Sequence, residues 1–134
     1  MNSLKTTSAA LFIFIICTII SCKDDSVLSK SKEKDEMELK LLMSDIVKMS
    51  DQISCDNAAN WRIVPIGAKG CGGASSFIAY SAKIDTALFL QKVEQYTQKE
   101  KAFNEKWELY SNCALIVAPK RVECVDGKPR LVYQ

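Results

Sequence analysis

The chain has 134 residues, of which 48% are hydrophobic, and its 18 basic and 16 acidic residues give a net charge of +2. A charge so close to zero predicts no special attraction to nucleic acid. Histidine is absent, which excludes a Ser-His-Asp triad, a Cys-His pair and any imidazole metal site. The motifs of the chain predict no cofactor and no metal.

The first 21 residues have the pattern of a signal peptide. Lys5 supplies a short positive region, and the apolar stretch 9–20 is shorter than the roughly 20 residues that a membrane-spanning helix needs. Ile19-Ile20-Ser21-Cys22 resembles a bacterial lipobox, which implies that residues 1–21 are removed and that Cys22 is lipidated. We therefore expect a lipoprotein that contacts the membrane through acyl chains such as palmitate on Cys22.

The residues after the expected cleavage point predict a location and a domain boundary. Cys22-Lys23-Asp24-Asp25 resembles the surface-export signal of Bacteroidetes lipoproteins, in which a lysine and two acids follow the lipidated cysteine. The resemblance implies an outer-membrane lipoprotein exposed at the cell surface. Residues 22–35 are mostly polar, which predicts a lipidated cysteine followed by a flexible tether, and residues 36–134 are long enough for one domain.

The cysteines predict disulfides. Cys17 leaves with the signal peptide and Cys22 carries lipid, so four cysteines remain in an exported chain, at positions Cys55, Cys71, Cys113 and Cys124. An even number predicts two disulfides, with three pairings open; we favour Cys71–Cys113 with Cys55–Cys124. A zinc site is the alternative, but the closest pair is eleven residues apart, whereas zinc ligands usually come in closely spaced pairs.

Two helices are expected. Within residues 36–54, apolar side chains recur at spacings of three and four, which predicts a helix that packs on the core or, alternatively, on a partner. A longer helix is predicted from its N-cap Asp85 to about Tyr110, with Glu100 at a position where the spacing calls for an apolar residue. The apolar positions of this second helix are Phe89, Val93, Tyr96, Phe103, Trp107 and Tyr110.

Several short stretches are typical of strands. Residues 61–66, 77–80 and 114–117 are rich in aromatic and β-branched residues. Residues 121–125 and 130–133 flank Asp126-Gly127, a dipeptide that favours the tight turn of a β-hairpin. Together the elements predict an α+β fold: a small, mostly antiparallel sheet packed by two helices on one face and stapled by disulfides.

A glycine-rich loop follows the first predicted strand. Gly67, Gly70, Gly72 and Gly73 surround Cys71, but their spacing matches neither a P-loop nor a dinucleotide-binding fingerprint. Glycine at these positions is explained by a tight turn beside a disulfide.

A partner-contact surface is predicted near this loop. Trp and Arg are enriched in binding hot spots, so a candidate contact surface consists of Trp61, Arg62, Gly70, Gly72 and Gly73. The alternative is a core tryptophan beside a surface arginine.

Residues 55–133 resemble small bacterial secreted proteins and lipoproteins to which no activity is assigned. The residues that carry the resemblance are Trp61, Gly67-Ala68-Lys69, Cys71-Gly72-Gly73, Ala79-Tyr80-Ser81, Asn104, Ser111, Cys113 and Cys124. Where these proteins commonly have a proline after the glycine pair, this chain has Ala74. The resemblance implies a compact, disulfide-stapled domain.

From these observations we expect a non-enzymatic interaction module, such as an inhibitor or an accessory subunit, whose protein partner the sequence does not identify. A histidine-free hydrolase using carboxylates or a serine is one alternative, although no two acidic residues stand out as facing carboxylates. A purely structural envelope lipoprotein is the other.

Overall fold

The computed structural model describes residues 24–110 and 113–134. The signal peptide, Cys22, Lys23 and Ser111 lie outside the described residues, so lipidation and export remain predictions. Residues 33–134 form one compact unit, which does not include the described residues 24–32. Across the described ranges, no helix combines the length and the hydrophobicity that crossing a bilayer requires.

The first helix, α1, runs from Asp24 to Ser50. It both begins and ends earlier in the chain than the predicted helix at 36–54. Residues 24–35, which we expected to be a flexible tether, are therefore helical, and this part of the prediction is wrong. The physical reason is that residues 24–50 contain no glycine or proline and are rich in Lys, Glu, Leu and Met, all good helix formers. The predicted apolar stripe is confirmed in its central part, because Ile46 is fully buried and Leu39, Leu42 and Met49 pack around the same cluster.

The second helix, α2, runs from Thr86 to Lys106. The predicted N-cap is confirmed, since the Leu88 N–H donates to the Asp85 carboxylate at 3.0 Å. The helix ends about one turn before the predicted Tyr110, which lies beyond it and is 93% exposed. Phe89, Val93 and Tyr96 are buried, as expected for its apolar face.

The strands form two antiparallel hairpins instead of one sheet. After a short 3₁₀ turn, Ala58–Asn60, strand β1 (Trp61–Ile66) pairs with β2 (Ser76–Ser81), and Trp61 lies opposite Ser81. Strand β3 (Arg121–Val125) pairs with β4 (Lys128–Val132). The predicted turn between β3 and β4 is confirmed: Asp126 and Gly127 have φ angles of 51° and 73°, which a type I′ turn requires.

The strand predicted at 114–117 does not form. Leu115 and Val117 are 95% and 69% exposed, and the chain joins the second hairpin only at Lys120, whose N–H donates to the Val132 carbonyl at 2.8 Å. A run of β-prone residues needs a neighbouring strand edge to pair with, and this segment meets none before residue 120.

The first hairpin separates two hydrophobic clusters, because successive side chains of a strand point to opposite faces. One cluster joins the helices to one face of the hairpin: Ile46, Ile66, Phe89, Val93 and Tyr96, with Val64, Ile78 and Tyr80 around them. The other joins the opposite face to the second hairpin: Cys55, Trp61, Ala79 and Val122, with Ile63, Cys124 and Leu131 around them. Both helices thus cover one face of β1–β2, as expected, and the second hairpin covers the other, which was not predicted from the sequence.

A disulfide staples the second cluster. Cys55, 2% exposed, is bonded to Cys124 of β3, and the Cys55 N–H donates to the Gly127 carbonyl at 2.8 Å. The bond joins the segment after α1 to the second hairpin. The predicted α+β class is confirmed. Of the two disulfides that we favoured, Cys55–Cys124 is confirmed.

Candidate functional site

The glycine-rich loop, residues 67–74, connects β1 to β2. The Lys69 N–H donates to the Gly73 carbonyl at 2.9 Å, and the Gly72 N–H donates to the Lys69 carbonyl at 3.0 Å. Gly72 and Gly73 have φ angles of 95° and 80°, which glycine adopts without the strain that a side chain would bring. The tight turn expected from the sequence therefore forms, with Cys71 at its tip.

Three side chains of α2 hold the start of this loop. The Gly67 N–H donates to Thr97 Oγ1 at 2.9 Å, the Ala68 N–H donates to Glu100 Oε2 at 2.6 Å, and Asn104 Nδ2 donates to the Ala68 carbonyl at 2.7 Å. Spacings of three and four residues place Thr97, Glu100 and Asn104 on one face of the helix. The loop is thus fixed along two turns of α2.

Glu100 is the centre of this attachment. Besides the Ala68 N–H, its carboxylate accepts hydrogen bonds from Ser75 Oγ at 2.8 Å and from the Tyr96 hydroxyl at 2.9 Å. Burial of the Tyr96 ring, together with the hydrogen bond to the Glu100 carboxylate, raises the pKa of Tyr96. The charged residue in the apolar series of α2 therefore holds the β1–β2 connection through two donors, Ala68 and Ser75, while Tyr96 of the same helix orients its carboxylate.

Gly67 allows the loop to approach α2. It is buried and has a φ of 76°, and a Cβ atom at this position would collide with Ser75 Oγ and with Glu100 Oε2. Both the backbone angle and the lack of space require glycine here.

A groove of about 660 Å³ lies between the glycine-rich loop and α2. We call it the loop–helix groove. Its apolar lining comes from Val64, Pro65, Ala68, Ala74, Leu90 and Val93, together with the four loop glycines at positions 67, 70, 72 and 73. Leu90 is 38% exposed, and the volume is within the range of about 300–1,000 Å³ that is typical of ligand pockets.

The polar groups of the groove are either paired within the protein or balanced in charge. Thr97 both accepts from Gly67 and donates to the Val93 carbonyl at 2.9 Å. Two cations and two anions line the groove, namely Lys69, Lys101, Glu94 and Glu105. A groove with an apolar lining and no excess charge favours an apolar group over an ion.

The predicted partner-contact residues do not lie together. Trp61 is only 5% exposed and packs in the second cluster, so the contact role proposed for it is wrong and the alternative, a core tryptophan, is what the structure shows. Arg62 is exposed and donates to the carbonyls of Ala59 and Trp61 at 2.8 and 2.9 Å. Both residues lie at the start of β1, whereas the glycine-rich loop follows the end of that strand. At the usual rise of a strand, the two ends of β1 are about 17 Å apart.

Cys71 and Cys113 approach one another at the outer side of the loop. Both are exposed thiols, and a hydrogen bond with Cys71 raises the pKa of Cys113. The residue after Cys113 is also held by the loop, since Lys69 Nζ donates to the Ala114 carbonyl at 2.6 Å. The structure brings the favoured pair into contact, and the disulfide between them stays a prediction.

Thr97 and Leu90 were not identified as site residues from the sequence. The one signal for this face of α2 was Glu100, a charge in an apolar series, and residues three and four positions from it complete the attachment. Within the described residues, no group of three Cys, Asp or Glu side chains is placed to hold a metal ion.

Comparisons of the chain with protein-family models, with curated proteins and with solved structures find no match.

Proposed function

We propose that this protein is a lipid-anchored envelope protein, exposed at the cell surface, that acts as a non-enzymatic interaction module through the loop–helix groove. The observation that carries the proposal is the groove itself, with its volume of about 660 Å³ and its mostly apolar lining. Its occupant is a segment of a partner protein that inserts an apolar side chain between the glycine-rich loop and α2.

The way the loop is held supports binding. Gly67 and Ala68 are already fixed by Thr97, Glu100 and Asn104, so a partner meets a wall that needs little further ordering. Because ordering a mobile loop lowers affinity, a fixed wall favours binding. Exposed apolar surface at Leu90 adds the desolvation that drives association.

The carboxylates do not favour the alternative of a hydrolase. The Glu100 carboxylate is engaged by three donors from the protein. The two acids that do line the groove, Glu94 and Glu105, are eleven residues apart on α2, which corresponds to about 16 Å along the helix axis. Paired carboxylates of glycosidases lie roughly 5–10 Å apart.

The anchoring part of the proposal is tested at Cys22. Growth of cells with a palmitate analogue should label the wild-type protein and place it in the membrane fraction, whereas Cys22→Ser should lose both the label and the membrane association. A wild-type protein that carries no acyl chain would contradict the anchor.

The groove is tested with a matched pair of leucines on α2. Leu90 lines the groove at 38% exposure, and Leu88, at 43%, lies on the same helix outside the groove lining. Leu90→Glu should weaken capture of the partner from solubilised cell envelopes by about tenfold or more, because a buried unpaired charge replaces an apolar contact. Leu88→Glu is the control and should leave capture unchanged.

If both variants lost capture equally, or if neither lost it, the groove would not be the contact surface. Both variants should unfold at nearly the same denaturant concentration as the wild type, because both positions are partly exposed.

A further inference from the structure

We propose that Cys71 and Cys113 form a second disulfide, exposed and reducible, that joins the glycine-rich loop to the chain beyond α2. The sequence left three pairings open, and the structure removes two of them, because Cys55 is bonded to Cys124. The inference stands independently of any partner at the loop–helix groove.

The first line of support is that hydrogen bonds of neighbouring residues hold the segments that carry Cys71 and Cys113 close to one another. Cys71 lies at the tip of the turn that the Lys69–Gly73 and Gly72–Lys69 hydrogen bonds close. Lys69 of the same turn donates from Nζ to the Ala114 carbonyl at 2.6 Å. This contact holds the residue next to Cys113 against the loop, and it involves neither sulfur atom.

The second line of support is the freedom of the loop to complete the bond. A Cβ atom at Gly72 or Gly73 would have no heavy atom within 4 Å, so this part of the loop has open space around it. The small movement that takes two thiols from hydrogen-bond contact to a bond length of about 2.05 Å therefore meets no steric obstacle on that side.

The two cysteine pairs differ in their exposure to solvent. Cys55 is 2% exposed, whereas Cys71 and Cys113 are both exposed. Because thiol–disulfide exchange needs access of a thiolate to a sulfur atom, exposed disulfides are the ones that reductants open first. The bond at the loop should therefore form and open while Cys55–Cys124 stays intact.

The bond forms by exchange with a disulfide oxidant, for which glutathione disulfide serves as the probe. The thiolate of one cysteine attacks the oxidant and gives a mixed disulfide and one glutathione. The second cysteine thiolate then displaces the other glutathione. The pair loses two protons and two electrons, and the oxidant becomes two molecules of glutathione.

The test is disulfide mapping of the full chain after incubation with glutathione disulfide, alkylation and tryptic digestion without reduction. We expect peptide 70–83 to be linked to peptide 107–120, with complete loss of both alkylated single peptides. Stepwise addition of dithiothreitol should then release this link before the Cys55–Cys124 link. Cys71→Ser and Cys113→Ser are the controls. In each variant, peptides 70–83 and 107–120 should not be linked to one another.

The proposal is overturned if both peptides are recovered singly and alkylated from the oxidised wild-type protein, or if Cys113 is found linked to Cys55 or Cys124. Release of the Cys55–Cys124 link before the loop link would also overturn it. Because the mapping is read on the wild-type chain, its result does not depend on the folding of the variants.

Discussion

At the scale of single residues, Glu100 explains how a charge can occupy a position that the helical spacing assigns to the core. Its carboxylate is not left unpaired, because the Ala68 N–H, Ser75 Oγ and the Tyr96 hydroxyl all donate to it. A partly buried carboxylate with three donors is a structural link between elements.

We expect Glu100→Ala to lower the free energy of unfolding by about 2–3 kcal/mol, because it leaves the Ala68 N–H and the Tyr96 hydroxyl without their acceptor. Glu94→Ala is the control, since Glu94 is exposed and accepts a hydrogen bond from Gln98 of the same helix at 2.7 Å, and should change the stability by less than about 0.5 kcal/mol. Urea unfolding measures both. Equal effects would show that Glu100 does not hold the loop.

Gly67 and Gly72 form a second comparison. Both have positive φ angles, 76° and 95°, but only Gly67 lacks space for a Cβ atom. An alanine at either position should be strained by about 1–3 kcal/mol from the backbone angle alone, and Gly67→Ala should lose more because of the collision with Ser75 and Glu100. Thermal unfolding of the two variants gives the difference, and a larger loss in Gly72→Ala would refute the close approach of loop and helix.

At the scale of elements, α1 and α2 are joined by ion pairs at their exposed edge. Lys106 Nζ and Trp107 Nε1 donate to the Asp35 carboxylate at 2.6 and 3.1 Å, and Lys99 Nζ donates to Glu38 at 2.6 Å. The hydrogen bond from Lys106, supported by the one from Trp107, lowers the pKa of Asp35 below its ordinary value of 3.8. Pairs this exposed contribute modestly to stability.

The lowered pKa sets the pH range of that contribution. Because the folded-state pKa lies below the unfolded value of 3.8, the contribution is present above that pH and is lost as the pH falls through the folded-state pKa. We expect Asp35→Asn to lower the melting temperature near neutral pH and to approach the wild type in acid. Melting curves from about pH 7 to about pH 2 measure this, and a difference that stays constant would contradict the pairing.

The elements also differ in how far the sequence predicts them. The second hairpin was predicted because Asp126-Gly127 specifies its turn locally, and α2 because its N-cap and apolar period agree. The strand at 114–117 was predicted wrongly, because a strand is completed only by a partner edge. The start of α1 was not predicted, because a polar sequence is compatible both with a flexible tether and with a solvent-exposed helix.

At the scale of the whole molecule, the first hairpin lies between the helices and the second hairpin. Trp61 packs on the side of the second hairpin with Cys55, Ala79 and Val122. The tryptophan predicted from the sequence as a candidate contact residue therefore helps to hold two hairpins together.

We expect Trp61→Ala to lower the free energy of unfolding by about 3–5 kcal/mol, the usual cost of deleting a large buried side chain. Arg62→Ala is the matched neighbour, and it should change the stability by less than about 1.5 kcal/mol because Arg62 is exposed and the variant loses two hydrogen bonds to local carbonyls, one exposed and one part-buried. Chemical unfolding of both variants measures this, and a Trp61→Ala variant as stable as the wild type would contradict the core position.

The sequence by itself determined the α+β class, the helix from Asp85, the turn at Asp126-Gly127 and an even set of cysteines, because these depend on local propensity, periodicity and counting. Only the tertiary structure decided that Trp61 is buried, that Glu100 holds the glycine-rich loop, and that Cys55 pairs with Cys124 while Cys71 meets Cys113. These features join residues up to 69 positions apart, and contacts at such separations arise from how the elements pack, which no local pattern specifies.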